Sequence, residues 1–247
     1  MTDKLHFEPR VIAHRGASGY APENTMASFV KAVQLGARWV EFDVMLSSNA
    51  EAFVFHDEYL DRTTNGHGWV GDYSFHELRS LDAGKWFGLP FSSERIPSFL
   101  TVLEFVDNAN IHANVEIKPL EGQDIATTQR IWQEVQAYKP ELASSLLFSS
   151  FSLIALEEMR KIAPQCQLGL LMHQWLPDWQ NICDKLNCIS VHMSQEIVTP
   201  ENAKKIKNTQ RSLLCYTVND PFRANELFSF GVDAVFSDYP DKIAQIK

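Results

Sequence analysis

Nowhere in the 247 residues is there an apolar run near the roughly 18 residues that a membrane-spanning helix requires. Residues 1–10 carry Asp3, Lys4, His6, Glu8 and Pro9 and no apolar segment, so a secretory signal is not expected. Positive charge is scarce: 22 Lys and Arg stand against 31 Asp and Glu, a net charge of −9. That balance excludes nonspecific binding to nucleic acid and stable association with an anionic membrane, both of which need a basic surface. A local positive pocket remains compatible with it. Cysteine is limited to Cys166, Cys183, Cys188 and Cys215, with no C-x-x-C spacing. All sit in or near apolar segments, as reduced core thiols in a cytoplasmic protein do. No glycine-rich dinucleotide fingerprint and no G-x-x-x-x-G-K-[ST] loop occurs, which removes the usual support for a doubly wound open sheet. The oligomeric state is not indicated.

What is present is a rhythm of short apolar runs and capped helices. Strand candidates begin near Val11, Trp39, Asn114, Leu146, Leu168, Ile189, Leu213 and Ala234. Most of these starts are separated by one strand-helix unit, but Trp39 to Asn114 spans 75 residues. Met26, Phe29, Val30 and Val33 share a helical face that Gly36 ends. Ser152 can cap a helix stopped by Pro164. Thr199-Pro200-Glu201 and Asp220-Pro221 are N-terminal signals, with Gly231 closing the last. Strands alternating with helices imply a parallel sheet. Closure into an α/β TIM (β/α)8 barrel, one domain over residues 1–247, is the simplest arrangement. The long gap is then a small insertion after the second strand. Residues 57–97 form an excursion beside the barrel mouth, and 98–110 the delayed second helix.

Charge alternation places the chemistry. Glu41 and Asp43 face one way on their strand while Val40, Phe42 and Val44 face the other; Glu116 and Lys118 share a face opposite Val115 and Ile117. In a barrel the charged sets point inward. His14-Arg15-Gly16 follows the apolar run Val11-Ile12-Ala13, and His56-Asp57 follows Phe53-Val54-Phe55. All of these lie at or near strand ends, where barrels of this kind carry their active sites. Three inward carboxylates cannot all stay ionised without a counter-charge. A hard divalent cation, Mg²⁺ or Ca²⁺, suits oxygen ligands from Glu41, Asp43 and Glu116 better than Zn²⁺ does. Arg15 and Lys118 supply charge for an anionic substrate, and the Arg fork suits phosphate oxygens. His14 and His56 suit a general acid and base. Together the parts describe metal-assisted phosphoester chemistry.

These motifs, with Pro22-Glu23-Asn24-Thr25, Glu116-Ile117-Lys118-Pro119, Ser149-Ser150-Phe151 and Tyr216-Thr217-Val218-Asn219, run in order through the chain. In that respect the chain resembles the glycerophosphodiester phosphodiesterases over nearly its whole length, most of all the short cytosolic bacterial members. The resemblance implies a TIM barrel with a small subdomain after the second strand. It also implies Mg²⁺ or Ca²⁺ on Glu41, Asp43 and Glu116, His14 and His56 as the acid–base pair, and Arg15 and Lys118 at phosphate-binding positions. Tyr216 stands where relatives often carry Trp, on the glycerol side of the substrate. The implied reaction cleaves a deacylated phospholipid such as glycerophosphocholine to sn-glycerol 3-phosphate and an alcohol. His14 is assigned as base and His56 as acid, with a cyclic glycerol phosphate or direct attack by water as the two routes. The rival readings are a barrel lyase of phospholipase C or D type that stops at a cyclic phosphate, and a non-catalytic phosphodiester-binding barrel.

Overall fold

The computed structural model describes residues 5–246; residues 1–4, part of the stretch that reads as lacking a secretory signal, lie outside them. In chain order the elements are β1 (Val11–Ala13), α1 (Met26–Gln34), β2 (Trp39–Leu46), β3 (Ala52–Val54), α2 (Phe75–Leu78), α3 (Phe99–Ala109), β4 (His112–Ile117) and α4 (Asp124–Tyr138). There follow β5 (Leu146–Ser150), α5 (Leu153–Ile162), β6 (Gln167–Met172), α6 (Trp179–Leu186), β7 (Ser190–Ser194), α7 (Pro200–Lys207), β8 (Ser212–Tyr216), α8 (Pro221–Ser229), β9 (Ala234–Ser237) and α9 (Pro240–Ala244).

β1 pairs with β9, and β8, β7, β6, β5, β4 and β2 follow in turn, until β2 returns to β1 through Ala13 and Val40. Every pairing in this ring is parallel, so the strands close into the expected (β/α)8 barrel. The sheet also has a ninth strand beyond the expected eight. β3 runs antiparallel to β2 on the edge opposite β4, since Val44 pairs with both Val54 and Ile117. A run as short as Ala52–Val54 carries too little periodicity to separate a strand from a buried loop; its pairing partner decides. Four starts also shift by one or two residues, β4 beginning at His112, β6 at Gln167, β7 at Ser190 and β8 at Ser212.

Two layers of side chains follow from strand alternation. Val40, Phe42, Val44, Val115 and Ile117 point outward and join Phe29, Phe99 and Val102 under the helices. Phe42 lies 5.7 Å edge-on from Phe29 and 6.2 Å from Phe99. Truncating a ring so enclosed, as in Phe42→Ala, costs about 3–5 kcal/mol through lost transfer energy and the cavity left behind. Inside the barrel, Ile12, Trp39, Leu147, Leu214, Ala234 and Phe236 fill a lower apolar layer. Above it the interior turns polar. His192 of β7 crowds β6 so closely that a Cβ on Gly169 would stand 2.5 Å from its Nε2, which only glycine avoids.

The helix signals behave as their chemistry dictates. Ser152 Oγ accepts from Ala155 N at 3.1 Å, Thr199 Oγ1 from Asn202 N at 3.1 Å and Asp220 Oδ1 from Phe222 N at 3.0 Å. Ser98 caps α3, and Asn110 ends it in the left-handed conformation. In α1 the expected face is rotated. Val30 is exposed and Ser28 is buried beside Phe29 and Ala32. Ser28 tolerates this because its hydroxyl donates to the carbonyls of Arg15 and Thr25.

Residues 57–97 and the tips of β2 and β3 share an apolar cluster built from Met45, Phe53, Phe55, Leu60, Val70 and Leu78. Among the described residues no helix is long and apolar enough to cross a membrane. The four cysteines are buried and free.

Candidate active site

The polar upper interior of the barrel is built from strand ends. Asp43 of β2 is in register with Glu116 of β4, and Glu41 with Asn114 one layer below. Because residues two apart share a face, this register brings three carboxylates together. One oxygen from each of Glu41, Asp43 and Glu116 lies within 4.8 Å of the others. The turn after β1 adds a donor. Arg15 and Gly16 both adopt positive φ, 53° and 80°. A Cβ on Gly16 would stand 2.4 Å from the Ser28 hydroxyl, so this turn needs glycine. The turn aims Arg15 N–H at Glu41 Oε2, 2.9 Å away.

Electrostatics divides the three acids. Burial, then the charges of Asp43 and Glu116, hold the Glu41 carboxyl well above the usual carboxylate range, although Arg15 opposes them. Burial and the Asp43 charge push Glu116 up to about 7. Burial also works against ionisation of Asp43. Lys118, Arg15, His56 and a hydrogen bond from Asn24 Nδ2 at 2.9 Å overcome it and hold Asp43 below the usual range. Lys118 Nζ stands 3.5 Å from Asp43 and 3.9 Å from Glu116. Two same-sign groups kept from ionising in a buried cluster are what a bound cation would reverse. Glu116 Oε1 is buried with no hydrogen-bond partner, an oxygen lone pair with nothing to accept from. The oxygen-only donor set and this orphaned atom fit a hard divalent cation.

The two histidines carry matching supports. His14 Nδ1 lies 2.7 Å from Asp238 Oδ1, and His56 Nδ1 lies 2.6 Å from Asp57 Oδ1. A carboxylate at Nδ1 sets the tautomer and leaves Nε2 for a ligand. Burial and the adjacent Arg15 charge lower the pKa of His14, against the pull of Asp238. Asp238 falls to about 2, the His14 bond and donors from Asn219 and Ser18 outweighing its own burial. Asp57 likewise stays ionised, held below the usual range by His56 and Arg62 against its own burial.

His14, Arg15, Glu41, His56, Glu116, Lys118 and Tyr216 all line one cleft of about 140 Å³ at the barrel mouth, and Asp43 lies behind them, buried. Asn114, Phe151, Leu171, Thr217 and Phe236 complete its lining. Tyr216 is differently placed from what a polar substrate contact requires. Its hydroxyl donates to Met172 O at 2.9 Å, and its ring meets Phe151 edge-on at 6.0 Å. The ring, not the hydroxyl, is what it presents. Arg15 is also partly committed. Its Nη1 donates to Glu23 Oε1 at 2.8 Å, and its Nε is 3.4 Å from Asp43.

Asp238 and the role of Asp57 escape sequence reasoning. Asp238 follows Ser237 in an ordinary strand end, with no motif of its own. Its only trace is Asn219, whose side chain is committed to Asp238, accepting from its N–H at 2.9 Å and donating to Oδ2 at 2.6 Å.

Comparison with known proteins follows the same lines. The family model described as "Glycerophosphoryl diester phosphodiesterase family" matches residues 14–242. A glycerophosphodiester phosphodiesterase of Caldanaerobacter subterraneus subsp. tengcongensis is 33% identical, with 96% of each chain covered. One of Bacillus subtilis is 31% identical over 96% of this chain and 85% of its own. The structure of an Oleispira antarctica phosphodiesterase in complex with the product sn-glycerol-3-phosphate is 39% identical and superposes with a TM-score of 0.93, covering 97% of each chain.

Proposed function

We propose, because the chain belongs to the glycerophosphoryl diester phosphodiesterase family, that it hydrolyses glycerophosphodiesters such as glycerophosphocholine to sn-glycerol 3-phosphate and the free alcohol. The chain is a phosphoric diester hydrolase. The observation that carries it is the three-carboxylate cluster sharing one cleft with two histidines, each held at Nδ1 by a carboxylate.

Glu41, Asp43 and Glu116 would hold a divalent cation, Mg²⁺ or Ca²⁺. Such an ion polarises phosphoryl oxygens and lowers the pKa of a bound hydroxyl. The remaining work falls to the chain's own groups. Lys118 and the free edge of the Arg15 guanidinium bind the phosphate oxygens, where fixed positive charge favours the more highly charged transition state. His14 starts neutral, a state its burial beside Arg15 favours. Its Nε2 takes the proton of the attacking oxygen as that oxygen bonds to phosphorus. His56 serves as the acid, its ring held at Nδ1 by Asp57. It gives its proton to the alcohol oxygen as the P–O bond to that alcohol breaks. Exposure supports this division. The His56 side chain is 29% exposed and that of His14 16%, so the acid stands nearer the path by which an alcohol leaves.

The attacking oxygen belongs either to a glycerol hydroxyl, which gives a cyclic phosphate that water then opens, or to water itself. Phosphorus NMR of a single turnover separates these routes. The broader test is an assay of several glycerophosphodiesters after chelation, with Mg²⁺ or Ca²⁺ added back. Release of sn-glycerol 3-phosphate that returns with the metal supports the reading. A cyclic phosphate as end product, or no release with metal present, would overturn it.

A further inference from the structure

The charged network around the cleft continues beyond it to Arg62, in the excursion after β3. Arg62 Nε donates to Asp57 Oδ2 at 2.5 Å and Nη2 to Asp57 Oδ1 at 2.9 Å. The same guanidinium grips Glu23, Nη1 to Oε2 and Nη2 to Oε1, each at 2.7 Å. Glu23 Oε1 also takes Arg15 Nη1, and Asp57 Oδ1 also takes His56 Nδ1. One planar fork therefore clamps two carboxylates from different parts of the chain, and each carboxylate orients a group that faces the cleft.

We propose that Arg62 is a positioning residue for the reaction: it locks the Asp57 carboxylate so that His56 presents Nε2 to the departing alcohol. The proposal rests on His56 serving as general acid. Asp57 is the sequence neighbour of His56 and follows the strand end in loop, so its own backbone does not settle where its carboxylate points. The two bonds from Arg62 do, and Glu23, itself tied to Arg15 on the barrel wall, fixes Arg62. Five N–H donors in a rigid plane can hold each of two carboxylates by paired bonds of fixed direction, a geometry that the three donors on a lysine's single nitrogen do not match. Arg62 is also nearly half exposed, at 46%. Ion pairs so exposed contribute little to global stability, so the clamp should register in turnover more than in melting.

The leaving group provides the test. Choline departs as a strongly basic alkoxide unless protonated, whereas 4-nitrophenolate leaves without a proton. Arg62→Gln, Arg62→Lys and His56→Ala are compared with wild type on glycerophosphocholine and on the 4-nitrophenyl ester of glycerol 3-phosphate, with saturating divalent cation. Arg62→Gln is expected to lower kcat on glycerophosphocholine about 10- to 100-fold with little change in KM, the size of a misplaced catalytic group. On the nitrophenyl ester it stays within about threefold of wild type, because no general acid is needed there. Arg62→Lys falls between, and keeps the test open if Arg62→Gln does not fold by circular dichroism. Equal loss on both substrates, or no loss on glycerophosphocholine, overturns the proposal. His56→Ala is the internal standard. If it too loses equally on both substrates, the general-acid reading has failed and takes the proposal with it. If His56→Ala discriminates and the Arg62 variants do not, only the positioning role has failed.

Discussion

Asp238, the residue after β9, places Oδ1 2.7 Å from Nδ1 of His14, the residue after β1. Closure of the barrel makes the contact, since the first and last strands of the chain are neighbours in the ring. An ionised carboxylate there makes Nδ1 the proton-bearing nitrogen and leaves Nε2 basic.

Asp238→Asn is therefore expected to harm turnover more than Asp238→Ala. An amide can donate to Nδ1, which moves the proton to Nε2 and blocks the base. We expect kcat to fall at least about 10- to 100-fold in Asp238→Asn, as for other residues that orient a reacting imidazole, with Asp238→Ala less affected. Steady-state kinetics on glycerophosphocholine measure it; equal kcat in both variants would remove the tautomer argument.

Binding of a divalent cation should raise the melting temperature of chelator-treated protein, since the ion relieves repulsion among Glu41, Asp43 and Glu116. At a concentration near 100 times Kd, linkage stabilises the fold by about 2.7 kcal/mol. Glu116→Gln should abolish most of that rise, because it removes the charge of an acid whose Oε1 is buried without a hydrogen-bond donor. A thermal shift of the variant equal to wild type, across a titration of Mg²⁺ and Ca²⁺, would place the ion elsewhere.

His192 makes stability depend on pH. It is fully buried in the barrel interior, and burial lowers its pKa from 6.5 to about 3. The unfolded chain then binds a proton that the folded chain does not, so the contribution is complete above pH 6.5 and is lost as pH falls toward 3. Within that window one such group adds a slope of about 1.4 kcal/mol per pH unit. Urea unfolding at stepped pH should show a shallower slope for His192→Gln than for wild type. Parallel slopes would mean that His192 takes up its proton while folded.

Tyr216→Phe should leave kcat and KM nearly unchanged while lowering stability by about 1 kcal/mol, the usual worth of one hydrogen bond lost by the Met172 carbonyl. Tyr216→Ala removes the ring that lines the cleft beside Phe151 and is expected to raise KM. A large kcat loss in Tyr216→Phe would show that the hydroxyl, not the ring, serves the substrate.

The barrel and its charged interior are legible in the chain because strand alternation is a local property. Glu41 and Asp43 must share a face whatever surrounds them, and Val40, Phe42 and Val44 must share the other. The 75 residues between Trp39 and Asn114 likewise announce an excursion by length alone. The run that becomes β3 is legible as the apolar stretch before His56, but its place as a ninth, antiparallel strand exists only through its pairing with Val44, Met45 and Leu46. The face of α1 differs from its expected one at Val30 for a related reason. Hydrophobicity ranked valine above serine, but Ser28 had two buried carbonyls waiting for its hydroxyl.

Residue types at fixed short spacing were thus determined by the sequence alone: the carboxylates on one strand face, the histidines at strand ends, the caps that start α5, α7 and α8. What surrounds those groups was decided by the tertiary structure. Asp238 reaches His14 across 224 positions of chain, and Arg62 reaches Glu23 across 39. Glu116 is raised to about 7 because β4 sets it beside Asp43 in a buried cluster. Covalent geometry carries side-chain direction along a strand, but a pKa or a tautomer depends on distance through space and on exclusion of water. Those are settled only when the ring of strands closes.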